Sequence, residues 1–226
     1  MKLILDNIPL DTVLHPSGLC FVMLTDKMSK RIGFNLYNFK TKRIVRIKKS
    51  DYLQCKFGPS YEKIVSQMKD YLTCSVEINA EGYVNVIYPT GEMGIFNKNG
   101  LLVWSGDLSY HDKPVQTVAI ENNNIWTVCP DENAIVRYKT NLKRVDFRIG
   151  GKNVPAFSYP CAVRYYDDKL FVCCKDTGRV KSINLDDFVV NSYLAFDDEI
   201  YNYIRYKDKE IVVLSSGTYV IEKEDK

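Results

Sequence analysis

Ala162-Val-Arg-Tyr-Tyr-Asp-Asp-Lys-Leu-Phe-Val-Cys-Cys174, continued by Lys175-Asp-Thr-Gly178 and Arg179-Val-Lys-Ser-Ile-Asn184, decides how this chain folds. Two β-rich runs flank Asp167-Asp168, a polar turn of hairpin length, and the second run is almost wholly apolar. A turn ending in Gly178 leads to a third run that alternates polar and apolar side chains. The same order of hairpin, turn and strand recurs over residues 12–38, 74–97, 117–139 and 203–223. In four of the five units a fourth run follows, near residues 43–48, 101–105, 142–149 and 188–196. The last unit stops before its fourth run. At the other end of the chain Lys2-Leu-Ile-Leu-Asp6 precedes the first hairpin and has no unit of its own.

Four-stranded units spaced by about 45 residues have the period of propeller blades. The 226 residues hold about five of them. The expected fold is therefore all-β, a five-bladed β-propeller with four-stranded antiparallel blades, occupying residues 1–226 as one domain. Its ring is expected to close when the N-terminal strand completes the last blade. One helix is expected, over residues 60–71, where Tyr61, Ile64, Val65, Met68 and Tyr71 recur at helical spacing behind Ser60.

Composition agrees with a globular chain: 46% hydrophobic and 26% charged residues exclude a disordered or coiled-coil protein. No apolar run approaches the roughly 20 residues of a membrane helix, and residues 1–8 lack the pattern of a signal peptide. Seven cysteines lie mostly in apolar stretches without framework spacing, which reads as free thiols in a reducing, cytoplasmic compartment. No paired-ligand spacing for zinc is present, and neither a metal nor a cofactor is expected. The net charge of +3 is uneven, with 13 Lys/Arg against 6 Asp/Glu in residues 1–70. Arg43 to Lys48 interleave with Ile44, Val45 and Ile47, as on an outer strand protected by charge. A nucleic-acid groove would add stacking aromatics, so nucleic acid and membrane are not expected partners.

The third and fourth units resemble the NHL-type β-propeller repeat family. Ile125-Trp-Thr-Val-Cys-Pro-Asp-Glu-Asn-Ala-Ile-Val-Arg-Tyr138 and Leu170-Phe-Val-Cys-Cys-Lys-Asp-Thr-Gly-Arg-Val-Lys-Ser-Ile183 echo its central segment. Pro114 and Pro160 stand where that family often places a proline, and Phe147-Arg-Ile-Gly-Gly151 resembles its glycine-ended outer strand. Pro130 and Lys175 replace the usual aspartate. The resemblance implies a propeller that binds proteins, RNA or small ligands on one loop face, and it carries over no catalytic residue.

On that face the blade map places Lys27, Arg31, Tyr61, Tyr71, Tyr110, His111, Asp112, Phe157, Tyr159, Lys175, Asp176, Asp197, Asp198, Glu199 and Tyr201. Tyrosine dominates the set, and its flat ring with a polar tip suits protein hot spots and sugar stacking. Tyr71, Tyr159 and Tyr201 are expected to cap the channel by packing on one another. Chemistry has thin material: His15 falls on the opposite face from His111, and no P-loop, G-x-S-x-G or H-E-x-x-H occurs. Asp11 and Glu77, on innermost strands, are the only candidates for a carboxylate pair of the glycosidase kind. The sequence thus reads as a non-catalytic binding or assembly module with a protein partner. Glycan binding or glycoside processing is the alternative, followed by a structural subunit of a larger particle.

Overall fold

The apolar second run of each unit becomes an inner strand of a four-stranded antiparallel sheet in the computed structural model. It describes residues 1–222 apart from Lys27, Ser29, Asn123, Thr140, Lys143 and Pro155. The chain starts with β1 (Lys2–Leu5), followed by blade I: β2 (Asp11–His15), β3 (Gly18–Asp26), β4 (Arg31–Asn38) and β5 (Arg43–Arg46). Two helices, α1 (Lys49–Phe57) and α2 (Tyr61–Val65), precede blade II, made of β6 (Ser75–Ile78), β7 (Val84–Ile87), β8 (Glu92–Phe96) and β9 (Leu102–Asp107). A ribbon of β10 (Ser109–Tyr110) and β11 (Lys113–Pro114) leads to blade III: β12 (Gln116–Glu121), β13 (Asn124–Cys129), β14 (Ala134–Lys139) and β15 (Arg144–Gly150). Blade IV is β16 (Pro160–Tyr166), β17 (Lys169–Cys174), β18 (Arg179–Asn184) and β19 (Val190–Ala195), and blade V contributes β20 (Ile200–Tyr206), β21 (Lys209–Leu214) and β22 (Gly217–Glu222).

Blades I to IV are ordered along the chain, whereas the fifth sheet runs β20–β21–β22–β1. Lys2 faces Val220 and Leu3 faces Tyr219 across that last pair, so the two ends of the chain share one blade. The five-bladed, closed-ring expectation is met. The outermost strand of blade I, β5, is exposed along its whole length and carries Arg43 and Arg46, as expected of a strand whose cations discourage edge pairing.

In four of the five inter-blade wedges apolar side chains from the two blades meet directly. Ile87 and Met93 meet Val118 and Val136 between blades II and III, and Trp126 and Val128 meet Val163 and Val172 between III and IV. Phe171 and Cys173 meet Tyr203 and Val212 between IV and V, and Ile211 and Val220 meet Leu19 between V and I. The wedge between I and II is different. Tyr52, Leu53, Phe57 and Ile64 from the helices stand between Cys20, Val22 and Leu36 on one side and Cys74, Val84 and Val86 on the other.

The helical segment departs from expectation. Helix α1 was not foreseen, because its buried stripe of Tyr52, Leu53, Lys56 and Phe57 includes a lysine. Asp51 accepts the Lys48 N–H at its start, and Gly58, at φ 76°, closes its end by donating to the Gln54 carbonyl. The helix expected over residues 60–71 is helical only through Val65. Gln67 and Met68 donate to carbonyls three residues back, the Gln67 amide bonds the Lys63 and Gly100 carbonyls, and Asp70 takes the Leu72 N–H. These local bonds stop the helix. The periodic residues report burial all the same, since Met68 and Tyr71 pack on the same core.

Ring closure can be measured directly. Deleting residues 1–6 removes Ile4 from the core it shares with Leu19 and Val220 and uncovers the edge of β22. The expected loss is about 2–4 kcal/mol, read as a lower thermal midpoint; an unchanged midpoint contradicts closure by β1.

Candidate functional site

The turns after the second strands of blades III and IV set the geometry of the loop face. Each is a single 3₁₀ turn, Pro130–Glu132 and Lys175–Thr177, closed by a left-handed residue, Asn133 at φ 51° and Gly178 at φ 61°. Asparagine tolerates that conformation and brings a side chain that glycine lacks. Asn133 Oδ1 accepts the Tyr159 N–H at 2.8 Å, while the Tyr159 carbonyl accepts the Lys175 N–H at 3.0 Å. Held from both sides, Tyr159 adopts φ 48° and displays its ring, 38% exposed.

Lys175 reaches back over this ring. Its ammonium lies 5.8 Å from the Tyr159 ring centre, 5.1 Å from that of Tyr201 and 3.7 Å from Glu199. The Tyr201 hydroxyl donates to Glu199 at 2.7 Å, and this bond, with burial, raises its pKa. Two rings, a cation and a carboxylate therefore form one clasp. A neighbouring cluster shares the Pro130–Glu132 turn. Glu132 lies 3.4 Å from His111 and 3.0 Å from Lys152, His111 stacks on Tyr110 at 4.0 Å, and Arg148 donates to the Tyr110 hydroxyl. The lysine bond to Glu132 is the main reason its carboxyl sits below its ordinary pKa.

The remaining expected residues are dispersed. Asp176 is exposed beside Lys175 in its turn. Asp198 accepts from the Ser216 hydroxyl on blade V, and Arg31 lies exposed on blade I. Tyr61 donates to Glu62, and the Tyr71 ring takes the Lys49 ammonium at 4.3 Å, both within the helical insert. Lys27 lies outside the described residues. Phe157 is corrected from the loop face to the core: it is 4% exposed and packs beneath Gly150, whose φ of 83° and 2.8 Å clearance to that ring leave no room for a Cβ. The three tyrosines expected to pack on one another do not do so among the described residues. Tyr159 and Tyr201 are bridged by a cation, which a register of sequence spacings does not reveal.

The channel holds the second group of candidates. A cavity of about 330 Å³ is lined by Asp11, Lys56, Cys74, Glu77, Arg164 and Tyr166. Asp11 Oδ2 accepts from Lys56 Nζ and from the Tyr52 hydroxyl, each at 2.5 Å, and Lys56 also donates to the Tyr71 and Leu72 carbonyls. Burial, and then the Asp11 charge, hold the Tyr52 hydroxyl protonated far above its usual range. Burial pushes the Cys74 thiol up to about 11, which makes it a poor nucleophile. Across the channel Arg164 donates to Asn202, whose amide donates to Thr12. Glu77 stands near Arg164, yet burial outweighs that attraction and raises its carboxyl pKa. Lys56 and Tyr52, which turn Asp11 into a structural anion, went unread in the sequence; the only signal was a lysine at a core position of an apolar stripe. Among the described residues no group of three His, Cys, Asp or Glu is placed to hold a metal.

Neither a protein-family model nor a curated protein sequence matches this chain. Solved β-propeller structures do. A streptogramin B lyase shares 12% identity over 97% of this chain and 70% of its own, with a TM-score of 0.51. Virginiamycin B lyase from Staphylococcus aureus shares 12% over 100% and 73%, with a TM-score of 0.52. The extracellular domain of BT4673, named for a one-component system of B. thetaiotaomicron, shares 14% over 97% of this chain and 29% of its own, with a TM-score of 0.51. At these identities the likeness is one of fold.

Three substitutions test the channel. Lys56→Met leaves Asp11 in a site where its side chain is only 18% exposed and without a cation, at an expected cost of about 3–5 kcal/mol; adding Asp11→Asn should recover most of it, because breaking a pair costs more than replacing it. Urea denaturation of the three proteins measures this. A carboxyl whose pKa is raised on folding stabilises the fold below its ordinary value of 4.5 and loses that contribution as pH rises through its folded value. Glu77→Gln should therefore raise the urea midpoint at neutral pH and leave it unchanged well below pH 4.5.

Proposed function

We propose that this chain is a non-catalytic binding or assembly module, a propeller in the NHL repeat style that takes a protein partner on its loop face. Its seven cysteines are all free, which supports placing it in a reducing cytoplasm. The observation that carries the reading is the backbone of Tyr159. A bulky residue at φ 48° bears a strain of about 1–2 kcal/mol, and such strain persists where neighbouring structure imposes it, most often at ligand clamps. Here two blades impose it, and the result is an exposed ring beside Lys175 and Tyr201. Aromatic residues with an adjacent cation are the usual anchors of protein interfaces. The channel supports catalysis less well, since the Asp11 carboxylate is already committed to Lys56 and Tyr52.

The test is capture from native lysate by the wild type and by a Tyr159→Ala, Tyr201→Ala variant with an unchanged circular dichroism spectrum. A partner retained by the wild type should be lost by the variant, with affinity falling at least about tenfold per ring when the purified pair is titrated. A partner held equally by both proteins removes the loop face from the interaction.

A further inference from the structure

We propose that the wedge between blades II and III is a second ligand site, on the face opposite the loop face, and that it takes a neutral saccharide. On the second strand of each blade one position points at the following blade and fills the wedge. It holds Cys20 in blade I, Trp126 in III, Phe171 in IV and Ile211 in V, all in apolar clusters. In blade II the position belongs to Asn85, which pairs with Glu77 on one side and Ile95 on the other. Asn85 is 4% exposed, and its amide reaches only two carbonyls, each at a long 3.4 Å. A buried carboxamide so weakly satisfied costs stability where an aliphatic side chain would contribute it.

Ile87 and Met93 still meet blade III in this wedge, but beside Asn85 it opens into a cavity of about 560 Å³, within the range of about 300–1,000 Å³ usual for small-molecule sites. Asn85, Ile95 and Trp104 form one cross-strand row on its blade II wall, and Ile120 and Ile125 form the blade III wall. Tyr83 and Trp104 supply aromatic faces. Polar groups around this apolar floor are left with open valences. The Asn79 oxygen accepts the Glu81 and Tyr83 N–H groups, which leaves its NH₂ free, whereas the Asn122 NH₂ donates to Glu121 and leaves its oxygen free. Among the described residues neither the Tyr83 hydroxyl nor the Trp104 N–H has a protein partner, and neither atom is sealed from solvent.

The chemistry of these groups selects the ligand. Among the described residues the cation on the wall is Lys139, which lies 3.9 Å from Asp146, so the wall suits a neutral ligand better than an anionic one. Carboxamides donate and accept, as do sugar hydroxyls, and the C–H face of a pyranose lies well on an aromatic ring. The inference does not depend on the loop-face reading.

Trp104 is a built-in reporter, because the other of the two tryptophans, Trp126, is fully buried. The experiment titrates the intact chain with a panel of neutral methyl glycosides and disaccharides up to millimolar concentration, by tryptophan fluorescence and calorimetry. At least one member should bind saturably and shift the emission. By calorimetry Trp104→Ala should weaken it at least about tenfold. Asn85→Leu should abolish binding while raising the thermal midpoint, a combination that a merely structural asparagine would not produce. Tyr83→Phe, which removes one hydroxyl, should cost about tenfold and keeps the test decisive if Asn85→Leu does not fold. No saturable binding by any member of the panel overturns the proposal, as does binding that survives Asn85→Leu.

Discussion

One ammonium group holds the irregular joint of this ring. Lys56 Nζ touches the Asp11 carboxylate on β2 and the carbonyls of Tyr71 and Leu72 on the chain entering β6. It thereby ties the first strand of blade I, helix α1 and the approach to blade II into one unit. The first strands of blades II to V pack on one another directly, with apolar side chains in contact between neighbouring blades. Between I and II the gap is wide enough to admit helices. Helices carry a charged side chain into that gap, and a charge at such depth is tolerated only when it is fully bonded. The consequence reaches the channel: Asp11 serves the joint, and Glu77 and Arg164 are left as its other charged groups.

Small differences between repeats become differences between sites. The turns of blades III and IV share one geometry, but Asn133 stands where blade IV has Gly178. That replacement supplies the oxygen that fixes Tyr159 and so orders the clasp of Tyr159, Lys175 and Tyr201. On the opposite face a single change in the wedge-filling position, from an apolar residue to Asn85, coincides with an opening of about 560 Å³ between blades. The blades share one four-stranded plan, so departures from the repeat stand out as positions where packing alone does not explain the residue.

Legibility followed the same division. Strand order, blade count and closure were readable because period-2 alternation and turn residues are local signals repeated five times. Helix α1 was not, since Lys56 interrupts its apolar stripe and finds its partners outside the helix, on β2 45 residues away and on the Tyr71 and Leu72 carbonyls. Phe157 read as an exposed loop aromatic, but the glycine at position 150 lets it drop into the core. Tyr71 and Tyr61 shared a face with Tyr159 and Tyr201 by topology, yet the helices gave them other neighbours. The direction in which Asn85 points follows from its register with Glu77 and Ile95, which only the folded sheet supplies.

The amino-acid sequence by itself determined a five-bladed ring closed by its own N-terminal strand, because hydrophobic periodicity, turn chemistry and the count of strands are properties of neighbouring residues. Only the tertiary structure decided what the candidate residues do. Whether Asp11 is a free acid or half of a buried pair, whether Tyr159 and Tyr201 stack together or grip Lys175, and whether the wedge beside Asn85 is filled or open all depend on contacts between residues tens of positions apart. Burial, pairing and pKa are set by those non-local contacts, which no local pattern encodes.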